Sequence, residues 1–347
     1  MNVAFVWSDI KRPVGGAEYF LIDLIRFVKS SPIEIQISVY NIDEGSKLVK
    51  YLNKHDVIVL HSLNKILPLL PFIKRPAIID VHSPDWLWYF RETKYGIKPS
   101  ARTRLKRFWL FALGKSFYCR VLNRFDYETL GRFFRRAFLV PNFVDTSAFR
   151  PVSPKSDEFT VLVRYDPLFK GGFDVFLRSL RTLGRSRWLN VILVGRNVPE
   201  FVTKFMSKYV NSVETLGRLP KREQLAEVYS KAHATIIPSR YEGFPLTALE
   251  SLASGTPIIM SDLPATSWFL EEITEAKQGT GLKFEPNNSV DLAFKIKKMY
   301  KLWLNNEGLY RKSVVKSRRV AELFSADRMV PEYLKLFFMI YHRDSND

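Results

Sequence analysis

Short apolar runs rich in β-branched and aromatic residues alternate along this chain with amphipathic stretches. The runs predict strands at Val3–Trp7, Glu34–Tyr40, Val57–Leu60, Ala77–Val81 and Phe138–Val140. A second series is predicted at Phe159–Val163, Val191–Val194, Val213–Leu216, Ala234–Ile237, Pro257–Met260 and Gly281–Phe284. Apolar positions at helical spacing predict helices near Ala17–Val28, Phe173–Leu183, Lys221–Lys231, Pro245–Ser254 and Val290–Trp303. Strand–helix–strand alternation with short loops indicates an α/β protein whose parallel sheets are covered by helices on both faces. The two series are separated by PNFVDTSAFRPVSPKSDE, which carries Pro141, Pro151 and Pro154 and little periodicity. The expected organisation is two facing Rossmann-like, doubly wound parallel-sheet domains, 1–150 and 151–325, with an interdomain cleft. Ligands of such sheets bind at the carboxyl ends of the strands.

Length agrees, since 347 residues suit two domains of roughly 100–200 residues each. A single cysteine, Cys119, excludes a disulfide framework and a multi-cysteine metal cluster. The start MNVAFVWSDIKRP places charge after a short apolar run, which reads as a cytoplasmic start. The most apolar stretch, Val57 to Ile73, is interrupted by His61, Asn64 and Lys65, so no membrane-spanning helix is expected.

Charge changes the picture. The formal net charge is +18, and residues 91–136 hold 13 basic and 3 acidic residues, a net of +10. Such a concentration points to a polyanionic partner. Within it, RTRLKRFWLFALGKSFYCR (102–120) reads as a basic amphipathic helix suited to an anionic membrane surface, or as a helix packed on the first sheet. No zinc-finger, RRM or KH signature accompanies the charge, so nucleic acid is the poorer partner.

Three loops carry candidate chemistry. Gly15 and Gly16 precede the first helix, where glycine permits a tight turn or close approach of backbone to a ligand. RYDPLFKGG sets Arg164, a planar fork, and Lys170, a point charge, around a loop after a strand, which suits a diphosphate or a solvated surface. PSRYEGFPLTALESLASGTP sets Glu242 before a helix and Glu250 two turns into it. Leu246, Leu249 and Ala253 form its apolar stripe, and Thr247, Glu250, Ser251 and Ser254 a polar side. A carboxylate accepts from two neighbouring hydroxyls, as in a sugar or ribose diol, and helix N–H groups near Phe244 and Leu246 suit a pyrophosphate.

These segments, with VGGAE (14–18), VPNFVDTSAFRP (140–151) and TLGRLPKREQLAEVY (215–229), resemble the retaining, nucleotide-sugar-dependent glycosyltransferases of family 4, which have the GT-B fold. The pattern departs at Pro245, at Ser251 and at Val163, where a glycine is usual. The resemblance implies that Glu250 holds the ribose and that Glu242 contacts the transferred sugar. It implies that Arg164 and Lys170 neutralise the leaving diphosphate, with Gly15 and Gly16 approaching from the other domain. Gly243, Phe244, Pro245 and Leu246 would line the donor site. His82, in IIDVHSPDW, aligns with a histidine near the reacting carbon, and His61 ranks below it. The residues 326–347 are expected to cross back to the first domain. The co-substrate is a nucleotide-diphosphate sugar, no metal is required, and no D-x-D occurs in the chain. The acceptor is expected to be a glycan or lipid-linked saccharide, and the location cytoplasmic or peripheral on the membrane. The alternatives are a GT-B nucleotide-sugar epimerase and a catalytically reduced basic scaffold that binds anionic membrane or nucleic acid.

Overall fold

Two six-stranded sheets, parallel throughout, organise the chain. The computed structural model describes all residues except 8–15, 43–45, 62–66, 83–107, 109–111, 113, 168, 220, 267–268, 270–279 and 345–347. It comprises two units, Met1–Asn142 with Ala326–Asp347, and Phe143–Ser325.

The first unit holds β1 (Asn2–Trp7), β2 (Gln36–Asn41), β3 (Val57–Leu60), β4 (Ala77–Asp80), β5 (Tyr118–Val121) and β6 (Arg136–Leu139). Their spatial order is β2-β1-β3-β4-β5-β6. The central strands read as near-continuous apolar runs because helices cover a parallel sheet on both sides. All of β3 and β4 is buried. Helices α1 (Gly16–Lys29), α2 (Ser46–Leu52) and α3 (Arg124–Leu130) belong to this unit.

The second unit holds β7 (Thr160–Arg164), β8 (Ser186–Val194), β9 (Val210–Leu216), β10 (Ala234–Ile237), β11 (Ile258–Ser261) and β12 (Gly281–Phe284), in the order β12-β11-β10-β7-β8-β9. Its helices are α4 (Phe173–Leu183), α5 (Glu200–Met206), α6 (Arg222–Lys231), α7 (Leu246–Ala253), α8 (Ser289–Asn305) and α9 (Glu307–Leu323). The last helix, α10 (Ala326–Asp344), returns to the first unit. There Phe337 meets Phe5 edge-to-face at 6.0 Å, and Tyr333 Oη donates to the Pro141 carbonyl at 3.1 Å. No helix among the described residues is long and apolar enough to cross a membrane.

Both units are Rossmann-like, and each reverses its strand order once. The reversal falls between β1 and β3 in the first unit and between β7 and β10 in the second. Such switch points open a crevice at the carboxyl ends of the two strands.

One expected element is corrected. The amphipathic helix drawn over 102–120 does not hold at its end, where Gly114–Ser116 is a 3₁₀ turn and Tyr118–Val121 is strand β5. Most of its earlier part, like residues 91–107 of the basic segment, lies outside the described residues. The cause is Arg120, which reads as a surface charge in sequence but is 1% exposed in a central strand.

Candidate active site

In the second unit, the switch point gathers side chains from the ends of β7 and β10. Arg164 is the last residue of β7, and Lys170 follows in the 3₁₀ turn Phe169–Gly171, with both side chains exposed. The turn closes on Gly172, whose φ of +64° is left-handed. A Cβ there would collide with the carbonyl oxygen of Pro238, just past β10, so only glycine lets the two loops approach this closely. The Arg240 N–H donates to the Lys170 carbonyl at 2.8 Å and ties the loops together. The Arg240 guanidinium, 5% exposed, forks onto Asp174 at 2.7 and 2.6 Å and onto Asn287 Oδ1 at 3.1 and 2.9 Å.

Glu242 is half-buried in the loop after β10 and accepts from Ser239 Oγ at 2.8 Å. Burial pushes its carboxyl above the ordinary range, against the opposing pull of the Ser239 hydrogen bond and of the Lys170 and Arg164 charges. Gly243 and Phe244 follow, both buried, and Phe244 packs on Phe269 and Phe324 at 6.3 and 5.9 Å. Pro245 is the N-cap of α7 and contributes no side-chain cap, and Leu246 opens the helix half-buried.

Glu250 lies one turn beyond Thr247 on the same face of α7. Its Oε2 accepts from Tyr229 Oη at 2.9 Å and lies 3.9 Å from Arg164 Nη1. Arg164 Nη1 also donates to Thr247 Oγ1 at 3.2 Å. Glu250, Thr247 and Arg164 therefore form one group, which Tyr229 braces from α6. Burial holds the Tyr229 phenol well above its usual range, so it stays protonated and donates. Sequence reading missed Tyr229, Ser239 and Arg240 because nothing local marks a tyrosine or arginine as the partner of a distant carboxylate. The polar side drawn for α7 is also corrected. Ser251 and Ser254 are buried, and Ser251 Oγ donates to Thr235 Oγ1 at 2.8 Å or to the Thr256 carbonyl at 2.9 Å.

The first unit has its own polar cluster at the ends of β3 and β4. Asp80 Oδ2 lies 3.0 Å from both His61 Nδ1 and His82 Nε2, and Oδ1 accepts from Arg120 Nη1 at 2.6 Å. Arg120 also donates to Asn142 Oδ1 at 2.6 Å and to the Val140 carbonyl at 2.9 Å, and lies over the Tyr333 ring at 4.5 Å. Burial alone raises the Asp80 carboxyl, yet Arg120, His82 and His61 together hold it well below the usual carboxylate range. Burial lowers His82 despite the attraction of Asp80, so its imidazole is neutral at pH 7. With Asp80 ionised, the His82 proton sits on Nε2, and Nδ1 is left as an acceptor.

His61, Asp80 and His82 are also the donors among the described residues with spacing that suits a metal, all within 4.8 Å of one another. Arg120 already places a cation 2.6 Å from Asp80 and 3.5 Å from His82 Nε2, so the carboxylate is charge-compensated without an ion. Of the expected residues, Arg164, Lys170, Glu242 and Glu250 fall in the second unit and His82 in the first. Gly16 opens α1, and Gly15 lies outside the described residues.

Residues 145–316 match the family model described as glycosyl transferases group 1. An uncharacterized glycosyltransferase of Haemophilus influenzae is 26% identical over 164 residues, 47% of this chain and 44% of that protein. The GDP-mannose:cellobiosyl-diphosphopolyprenol alpha-mannosyltransferase of Xanthomonas campestris is 23% identical over 243 residues, 65% of this chain and 60% of that protein. The chain thus spans less than two-thirds of the length of either relative. Sucrose-phosphate synthase from Thermosynechococcus elongatus matches with a TM-score of 0.78 over 99% of both chains at 18% identity, which shows the GT-B fold. The family expected from the motifs is corrected: the matching model is glycosyl transferases group 1, not family 4. Most of the motifs that carried the expectation lie within the matched residues, and VGGAE at 14–18 lies outside them. The matched segment contains Arg164, Lys170, Glu242 and Glu250.

Proposed function

We propose that this glycosyltransferase moves a sugar from a nucleotide-diphosphate donor to a hydroxyl of a glycan or lipid-linked saccharide, with retention at the anomeric carbon. The observation that carries the reading is the carboxylate pair at the β7–β10 switch, with Glu250 braced by Tyr229 and set beside Arg164. Glu250 has an oxygen for each hydroxyl of a ribose diol. Arg164 and the exposed Lys170 neutralise the diphosphate as it leaves, and N–H groups at the start of α7 add to them. Glu242 accepts from hydroxyls of the transferred sugar. His82 Nδ1, kept unprotonated through Asp80, accepts from a sugar hydroxyl near the reacting carbon.

Retention follows when the acceptor hydroxyl attacks the anomeric carbon from the face that the diphosphate is leaving. The glycosidic bond forms as the sugar–phosphate bond breaks, and the departing phosphate oxygen takes the hydroxyl's proton. No covalent sugar–enzyme bond is needed. Fixed cations aimed at the departing charge are the largest lever available for this step.

The experiment is transfer from α-linked GDP-mannose and UDP-glucose to a panel of saccharide acceptors, with the anomeric configuration of the product read by NMR. GDP-mannose is tried first because the Xanthomonas relative is named for it. An α-linked product is expected. A β-linked product overturns retention, and donor consumed without acceptor overturns transfer in favour of epimerisation or hydrolysis.

A further inference from the structure

We propose that the first unit docks on an anionic phospholipid surface through a patch centred on Phe72, apart in sequence from the 91–136 segment and independent of the donor-site reading. Phe72 is 61% exposed at the end of the 3₁₀ turn Leu67–Phe72, and Pro68 and Pro71 in that turn are exposed with it. Singly exposed aromatics are ordinary on a surface, and Phe201 and Phe294 stand as open, so the surroundings of Phe72 carry the assignment. Asn53, just past α2, holds this turn to the helix. Its Nδ2 donates to the Phe72 carbonyl at 3.1 Å, its Oδ1 accepts from the Lys74 N–H at 2.9 Å, and its carbonyl accepts from Arg75 Nε at 3.1 Å.

The same three bonds bring two sets of cations together. Lys47, Lys50 and Lys54 lie on or just after α2, Lys74 and Arg75 follow the turn, and all five are exposed. Tyr51, 42% exposed, stands among the α2 lysines and stacks on Tyr40 at 6.1 Å. The single acid between residues 46 and 76 is Asp56, and its carboxylate accepts the Asn2 N–H at 2.7 Å. An apolar tip ringed by lysines, with a tyrosine at the margin, is the composition that enters the headgroup region of a bilayer. A nucleic-acid surface fits less well, because the exposed prolines of the tip offer no N–H to a phosphate or base. The connections entering β3 and β4 lie at the amino ends of those strands, so this tip is at the end of the sheet opposite His61 and His82.

The test places an environment-sensitive nitrobenzoxadiazole label at F72C in the full chain. Cys119 is buried and burial pushes its thiol well above the ordinary range, so it does not compete for the label. A label at F201C, a residue 70% exposed on α5 in the second unit, is the control. With vesicles of phosphatidylcholine and phosphatidylglycerol, the label at 72 should brighten and shift to the blue, and the label at 201 should not. Vesicles of phosphatidylcholine alone should leave both unchanged. Neutralising Lys50, Lys54 and Lys74 together to glutamine should weaken partition about 100-fold, at about fivefold per charge. Phe72→Ser should weaken it about tenfold. These side chains are exposed, and circular dichroism verifies that the variants keep the fold. A label at 72 that stays silent, or responds no more than the one at 201, overturns the proposal. So does undiminished vesicle binding by the triple variant, which assigns the contact to residues 91–136. Binding of an RNA oligonucleotide through these lysines, with no vesicle binding, overturns it as well.

Discussion

Arg120 Nη1 donates to Asp80 Oδ1 at 2.6 Å, with neither side chain more than 2% exposed. Two charges from neighbouring strands β5 and β4 thus neutralise each other inside the first unit. Removing one partner leaves the other charge buried and unpaired. Asp80→Ala should cost about 3–5 kcal/mol in urea unfolding. Replacing both residues with apolar side chains of similar volume should recover most of that loss. Equal losses in the single and double variants would show that packing, not charge, decides the site.

The second unit should lose stability on acidification through His233. This ring is fully buried, and burial followed by the Lys155 charge lowers its pKa to about 3. The unfolded chain takes up that proton near pH 6.5, well before the folded one. Stability therefore falls as pH drops from 6.5 towards 3, by up to about 1.4 kcal/mol per pH unit. Lys155 gives a second window. Burial lowers its pKa to about 7, while its Nζ donates to the Ala232 carbonyl at 2.7 Å. The folded chain releases this proton before the unfolded one does, so stability rises with pH between about 7 and 10.5. Urea melts from pH 4 to 10 should show both slopes, the lower one flattened in His233→Gln and the upper one in Lys155→Met.

Two glycines with positive φ should respond differently to alanine. Gly172, at +64°, faces the Pro238 carbonyl with no room for a Cβ, whereas Gly184, at +68°, has no atom within 4 Å of one. Gly184→Ala should cost only the backbone strain, about 1–3 kcal/mol. Gly172→Ala adds a backbone collision and should cost more, because the loop carrying Lys170 must move away from β10. Urea midpoints of the two variants give the comparison, and equal costs would contradict the close approach.

Tyr229 Oη steadies the carboxylate proposed to hold the ribose. Tyr229→Phe should leave the fold intact and weaken nucleotide binding about three- to tenfold, the net worth of one ordinary hydrogen bond. Calorimetric titration checks this. An unchanged affinity would mean that Glu250 needs no brace.

The fold was legible because its central strands are locally consistent. VIVL, ATII and the apolar part of β7 are buried on both faces of parallel sheets, so the burial pattern is written in each run. Strand β5, YCRV, was not legible. Its arginine is made tolerable by Asp80, forty positions earlier, and no local pattern records that pairing. The same limit applies at the site. Glu242 and Glu250 stand out because a loop, a proline and a helix announce them. The groups that orient them, Ser239 and Tyr229, become visible only when β10 and α6 are folded beside α7. Ser251 and Ser254 misled for the opposite reason, since small hydroxyls at helical spacing read as a polar face while both are buried and Ser251 bonds inward.

A nucleotide site built on Glu250 in the second unit stands or falls on calorimetric titration with UDP, GDP, ADP, CMP and dTDP. One nucleotide should bind in preference to the rest. Its affinity should fall at least tenfold in Glu250→Ala, with the melting temperature of the unliganded variant close to that of the parent. Binding of none of the five, or equal binding by the variant, would contradict the account.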